Sequence, residues 1–352
     1  GYYYNYSTST TATTEPDFVV PDKPEITYYC PGLEFTLINE DTEYSVAKGT
    51  ASTSSGVCIP ATYEGKNVTA IADNAFSGCN FMSVILPDCI TIIGAYAFSS
   101  CEHLANFAIP ENVTYIGEGA FSRCQSLQNV TIPANVATIG DMAFSGIIPG
   151  INVDSSNVHF KSVSGVLFDI SGTRLIQMGG SFNSQSYQIP DGVITISAGA
   201  FTGCQWLTSI IIPSSVTTIG KEAFTYCLRL SSIDIPDSVT SIGERTFVGC
   251  SLLTNVTLPN CLTTIGTQMF EGCDDLSSIV IPASVTKIER DSFYWCLQLQ
   301  TVYINAENPP ELETPVFSGC NNLTAIYVPS AYVDTYNTAA GWSDYSAIIV
   351  SQ

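Results

Sequence analysis

The sequence predicts an α/β repeat solenoid on three observations: a unit recurring about every 23 residues, β-branched stretches that each end at proline, and no amphipathic segment of helix length. Phenylalanine marks the period. It falls at Phe76, Phe98, Phe121 and Phe144, then at Phe201, Phe224, Phe247, Phe270, Phe293 and Phe317, in steps of 22 to 24 residues within each block. Isoleucine stands five positions before each of them except the last, where Leu312 takes its place.

The copy Ile235-Pro236-Asp237-Ser238-Val239-Thr240-Ser241-Ile242-Gly243-Glu244-Arg245-Thr246-Phe247-Val248-Gly249-Cys250 carries the unit cleanly. Its first part is an alternating stretch before proline, as in Val256 and Leu258 before Pro259, whose apolar residues two apart share one face of a strand. Proline ends that strand because it has no N–H for a ladder. The Val-x-x-Ile step, as in Val216 to Ile219, reads as a second extended piece, and the glycine after it, as at Gly220, is read as freeing the turn that follows. Ala-Phe-x-x-Cys, as in Ala97-Phe98 to Cys101, then places Phe and Cys on one face of a single helical or 3₁₀ turn. So short a unit cannot bury its apolar face alone, so neighbours stack and share one core. A period of 23 lies in the leucine-rich repeat range. Parallel strands are therefore expected on the concave face, short helical or 3₁₀ turns opposite them, and a cap at each end.

The pattern I-P-x-x-V-x-x-I-G-x-x-A-F-x-x-C-x-x-L resembles the BspA-like leucine-rich repeat of surface and secreted proteins of anaerobic bacteria and some protozoan parasites. The resemblance runs from about Gly32 to the C-terminus. It implies the fold, a location at the cell surface or outside the cell, and, as in a few members, adhesion or contact with a host protein.

Organisation along the chain is expected as follows. Residues 1–31, rich in Tyr, Ser and Thr, read as a flexible linker. The start Gly1-Tyr2-Tyr3-Tyr4-Asn5 has neither the basic nor the apolar part of a signal peptide, and it is expected to lie at a processing or cloning boundary. Residues 32–56 read as a hairpin capping the stack, with Leu33 to Leu37 and Glu43 to Val46 alternating around Asn39-Glu40-Asp41. The solenoid proper is expected over 57–329. Between Phe144 and Phe201 the spacing is 57, which exceeds two periods, so 145–189 reads as an irregular repeat carrying a β-hairpin. Residues 330–352 are expected to form a C-terminal cap with a short helix and an aromatic plug around Trp342.

Composition excludes several functions. With 11 Lys+Arg against 32 Asp+Glu and a net charge of -21, the 352 residues cannot build the basic stripe that phosphate backbones need, so no nucleic-acid partner is expected. No apolar run reaches the ~18 residues of a membrane span. Two histidines, His103 and His159, leave little for a metal site or a catalytic triad, and P-loop, dinucleotide and HExxH signatures are missing. Neither catalysis nor a cofactor is expected. The chain is expected to be a monomer.

Nine of the thirteen cysteines (Cys79, Cys101, Cys124, Cys204, Cys227, Cys250, Cys273, Cys296 and Cys320) stand three places after the repeat phenylalanine. They read as buried, reduced thiols in a core position. Cys89 and Cys261 share another register, and a bridge between Cys30 and Cys58 stays open.

A ligand face, if the fold has one, is the outward column of the first strand. Gln188, Asp234, Thr257, Tyr303 and Tyr327 are its candidate ligand-binding residues, beside a second column of Ser, Asn and Thr. A broad, weakly charged face suits an extracellular protein or glycan better than a small molecule, and exposed tyrosines make anchors. The expected function is non-enzymatic binding in adhesion or host interaction. The alternative is a structural spacer or stalk with no ligand of its own.

Overall fold

A computed structural model describes residues 30–52, 56–146, 150–179 and 185–352. The chain winds as a parallel-strand solenoid whose coils repeat about every 23 residues. Each coil contributes to three ladders. The strand before proline forms the first, as where Ser232–Asp234 pairs in parallel with Asn255–Thr257. The Thr-Ile step forms the second, as where Thr195–Ile196, Thr218–Ile219 and Ser241–Ile242 pair in sequence. Turns form the third. There the Phe98 N–H donates to the Ala120 carbonyl at 2.8 Å and the Phe224 N–H to the Thr246 carbonyl at 2.9 Å, so the turns also bond coil to coil.

The expected helical face is not built. Among the described residues, helix occurs only near the C-terminus, at Ser330–Tyr332, Val333–Thr338 and Ser343–Ile348. The reason is backbone handedness. Each regular coil puts two residues of its third side in the left-handed region, for example Arg245 at φ 59° and Gly249 at φ 68°, and a right-handed helix cannot pass through them. Their amides bond to the next coil instead of to the fourth residue back.

The glycine after the second strand also has a different task from the one expected. Its φ is not positive, but a Cβ at Gly220 would lie 2.4 Å from the Ala198 nitrogen of the preceding coil. It is there for close backbone approach, not for the turn.

The core is a stack of repeat phenylalanines. Phe76, Phe98, Phe121 and Phe144 lie ring on ring with centroids 5.5 Å apart and planes within 8°. Phe201, Phe224, Phe247, Phe270, Phe293 and Phe317 continue as a second stack at 5.0 to 5.6 Å. Buried apolar residues divide in the same way into two clusters.

The division falls in the irregular stretch. Phe160–Val163, Val166–Asp169 and Arg174–Gln177 pair antiparallel, and the last then runs parallel to Thr195–Ile196. Side chains of these strands alternate between the two cores. Leu167 and Ile176 belong to the N-terminal cluster, whereas Val166, Phe168 and Leu175 belong to the C-terminal one. Both faces of the second and third strands are therefore buried at Val166–Phe168 and Leu175–Ile176, which is why those stretches run apolar without alternation, whereas Lys161 to Val163 of the first strand are partly exposed.

At the N-terminal end, Glu34–Ile38 and Glu43–Ala47 form an antiparallel hairpin whose second strand runs parallel to Lys66–Ile71. Phe35 stacks on Tyr63 at 4.0 Å, with Tyr44 edge-on to both. The linker expected over 1–31 lies outside the described residues but for its last two. At the other end Tyr336 and Trp342 are fully buried, and their polar tips donate to the Ala306 and Pro310 carbonyls at 2.8 and 2.7 Å. The chain then returns to the first ladder, where Ile349–Ser351 pairs in parallel with Ala325–Val328.

Because Phe247 is fully buried between Phe224 and Phe270, Phe247→Ala is expected to cost about 3–5 kcal/mol. The urea unfolding midpoint measures it.

Candidate functional site

Burial along the first strand alternates, so that in Ser232–Asp234 only Ile233 faces the core. The residues flanking it face solvent, and parallel pairing in register places each against its counterpart in the next coil. Gln188 pairs with Ile211, Asp234 with Thr257, Val280 with Tyr303, Tyr303 with Tyr327 and Tyr327 with Val350. At ~4.8 Å per strand the column from Gln188 to Val350 is about 34 Å long.

Two contacts organise it. The Thr257 hydroxyl donates to an Asp234 carboxylate oxygen at 2.6 Å. Tyr303 and Tyr327 stack at 4.7 Å with planes 8° apart, half-buried and open on the sheet face. Ile211 and Val280, between the polar positions, are 60% and 49% exposed. The structure thus brings together Asp234 with Thr257 and Tyr303 with Tyr327, while Gln188 stands apart at the far end. Val350 extends the column and was not legible beforehand, since its strand lies beyond the last repeat.

Inside the coil the cysteines hydrogen-bond. The thiols of Cys101, Cys124, Cys227, Cys250, Cys273, Cys296 and Cys320 each donate to the carbonyl of the phenylalanine one coil back, at 3.0 to 3.3 Å. Each of these carbonyls also accepts the backbone N–H three residues on in its own turn, at 3.0 to 3.3 Å, so the thiol, a small apolar side chain with a weak donor, fills the second lone pair. Cys89 and Cys261 do a related job in the turn after proline, donating to carbonyls of the coil behind at 3.2 to 3.3 Å. Asn112, Asn135, Ser215 and Ser284 fill that place in other coils with the same kind of bond. All thirteen cysteines are free thiols. The backbone N–H of Cys58 points at the Cys30 sulfur, 3.4 Å away. Among the described residues no group of three His, Cys, Asp or Glu side chains is placed to hold a metal ion, and no helix is long and apolar enough to cross a membrane.

The turn ladder carries a second surface that sequence reasoning did not single out. The residue two places after the repeat phenylalanine has a positive φ in coil after coil, and it is glycine at Gly78, Gly146, Gly203, Gly249, Gly272 and Gly319. Four coils place a side chain there: Ser100 at φ 58°, Arg123 at 60°, Tyr226 at 57° and Trp295 at 58°. Such a residue costs roughly 1 kcal/mol relative to glycine. Tyr226 and Trp295 remain 46% and 54% exposed, so burial offsets little of that cost. Beside Tyr226 opens a groove of about 510 Å³. The signal was present as a departure from the repeat, a tyrosine at a glycine position, and it gains meaning only once φ is known.

Comparison with known proteins places the molecule. A family model for the BspA type leucine rich repeat region matches residues 62–163, 179–300 and 252–340, and the chain belongs to that family. No curated protein matches it. Among solved structures it is similar to a leucine-rich repeat protein from Eubacterium ventriosum ATCC 27560, with TM-score 0.61, 21% identity, and 84% of this chain and 88% of that one covered. It is similar also to the pneumococcal vaccine antigen PcpA, with TM-score 0.56, 18% identity, and coverage of 92% and 97%. A leucine rich cell surface protein from Faecalibacterium prausnitzii A2-165 aligns at 24% identity over 92% of this chain and 97% of that one, with TM-score 0.48.

The thiols yield two expectations. In the native state a thiol reagent should label the exposed Cys261 quickly and the half-buried Cys30, Cys58 and Cys89 more slowly, while all thirteen react after unfolding. Fast native labelling of more than four would contradict the burial of the ladder. Burial also pushes the Cys204 and Cys250 thiols from 9.0 up to about 12. A folded value raised above the unfolded one gives stability that is whole below pH 9 and lost as pH rises through 12. Urea midpoints under reducing conditions should therefore fall between pH 9 and 12, and a flat profile there would refute it.

Proposed function

We propose that this chain is a non-enzymatic, extracellular or cell-surface binding protein that meets an extracellular protein or glycan along the outward face of its first ladder, in adhesion or host interaction. The observation that carries this reading is the Tyr303–Tyr327 stack, at 4.7 Å, within a long in-register column. Stacked tyrosines on a strand face present a rigid amphipathic area that loses little conformational freedom on contact. Their neighbours Val280 and Val350 are apolar and partly exposed, and Asp234 with Thr257 adds a polar pair further along. Hot spots are enriched in tyrosine and sit among near-neutral contacts that exclude water.

The family supports this location, since its resemblance implies surface or secreted proteins. One of the similar structures, described as a vaccine antigen, is in keeping with it. The low count of 11 Lys+Arg is consistent with a protein or glycan partner and not a nucleic acid. The Ser, Asn and Thr residues beside the tyrosines favour the spacer reading, because a solvated strand face has that composition too.

Biolayer interferometry of the full chain against immobilised extracellular matrix proteins and oligosaccharides separates the two. Retention of at least one partner, weakened tenfold or more by combined Tyr303→Ser and Tyr327→Ser, is the expected result, equal to about 1.4 kcal/mol or more. Retention untouched by the double substitution would remove this face from the site. No retention at all would leave the spacer.

A further inference from the structure

We propose that the groove on the turn ladder, at the junction of the two cores, is a binding site for a short oligosaccharide. It is separate from the strand face and does not depend on that reading. At one position of the turn, successive coils carry Arg123, Gly146, Gly203 and Tyr226. The two glycines lie together, for a Cβ on Gly203 would come 3.5 Å from the Gly146 Cα. They leave a bare floor with Arg123 as one wall and Tyr226 as the other, about 15 Å apart at three strand spacings.

The sides bear the chemistry. Glu102, Gln125 and Gln205 are exposed along the groove, and Trp206 supplies a second aromatic surface, partly packed on the core behind it. In seven other coils the position of Trp206, two after the repeat cysteine, holds His103, Ser126, Arg229, Leu252, Asp275, Gln298 or Asn322; in the eighth it is Phe81, which is fully buried, so a partly exposed aromatic ring there is found at this junction. Tyr226 is likewise placed where most coils have glycine. Its ring lies over Gly249, where a Cβ would meet ring carbons at 2.6 and 2.8 Å, and the side chain stays well exposed.

Aromatic side chains, planar amides and charged groups lining one groove match a pyranose. Its axial C–H groups stack on rings, and its equatorial hydroxyls both donate and accept. Gln125 and Gln205 do both as well, while Glu102 accepts and Arg123 donates. The opposite charges of Glu102 and Arg123 argue against a simple anion. A groove open to solvent and of about 510 Å³ lies in the range of small-ligand clefts.

Tyr226→Gly tests this cleanly, because it installs the residue that the backbone prefers and so spares the fold. The full chain is applied to a microarray of hexose and N-acetylhexosamine oligosaccharides, and hits are measured by calorimetry. At least one oligosaccharide is expected to bind, and to lose tenfold or more in affinity in Tyr226→Gly and in Trp206→Ser. Thermal stability of Tyr226→Gly should be equal to or above that of the parent chain. Tyr303→Ser with Tyr327→Ser should leave the same oligosaccharide bound, which separates this groove from the strand face. No bound oligosaccharide on the array, or one bound equally well by Tyr226→Gly, would overturn the proposal.

Discussion

Within each of the two stacks, every coil rests on the one before it through a phenylalanine ring stacked on a phenylalanine ring, as Phe247 does on Phe224 at 5.6 Å. The stacking fixes more than the core. It brings the cysteine three residues later under the phenylalanine carbonyl of the previous coil, as Cys250 is bonded to Phe224 at 3.2 Å. That carbonyl also accepts the Cys227 N–H of its own turn at 3.2 Å, so the thiol adds a second bond, from the next coil, to an oxygen with two lone pairs. Parallel pairing in the two strand ladders and forward donation in the turn ladder then follow from the same register. A solenoid of this kind is stabilised by nearest-neighbour interfaces, so a weak coil is felt mainly by the two beside it.

Register also explains what happens where it fails. Between Phe144 and Phe201 the ring stack stops, and three antiparallel strands fill the space. The second and third of those strands face a core on each side, so the molecule gains a partition instead of a void. On the turn side the same interruption juxtaposes Gly146 and Gly203, and a groove results. One remodelled copy thus makes both the division of the core and a groove in the turn surface.

Much of this was legible in the residues. The period, the inward Ile, Phe and Cys, and the strand before proline repeat in copy after copy, and the repetition averages away local ambiguity. The candidate column Gln188, Asp234, Thr257, Tyr303 and Tyr327 could be written from alternation alone. Less legible was the turn. Ala-Phe-x-x-Cys fits a helical turn by spacing, yet residues such as Arg245 adopt positive φ, because bonding to the next coil outweighs local propensity. Nor did the glycine after isoleucine declare its purpose, since close approach to a backbone 22 residues earlier leaves no local mark.

The sequence by itself determined the coil: its length, which side chains point inward, and where each strand stops. These are set by burial and by the covalent limits of proline, both of which act within a unit. Only the tertiary structure decided which outward residues become neighbours. Gly146 meets Gly203 across 57 residues of chain, and Val350 joins the Tyr327 column after a helical detour. The reason is that a solenoid surface is assembled from residues one or more coils apart, and their adjacency depends on how the irregular coil and the C-terminal segment dock, which no single repeat encodes.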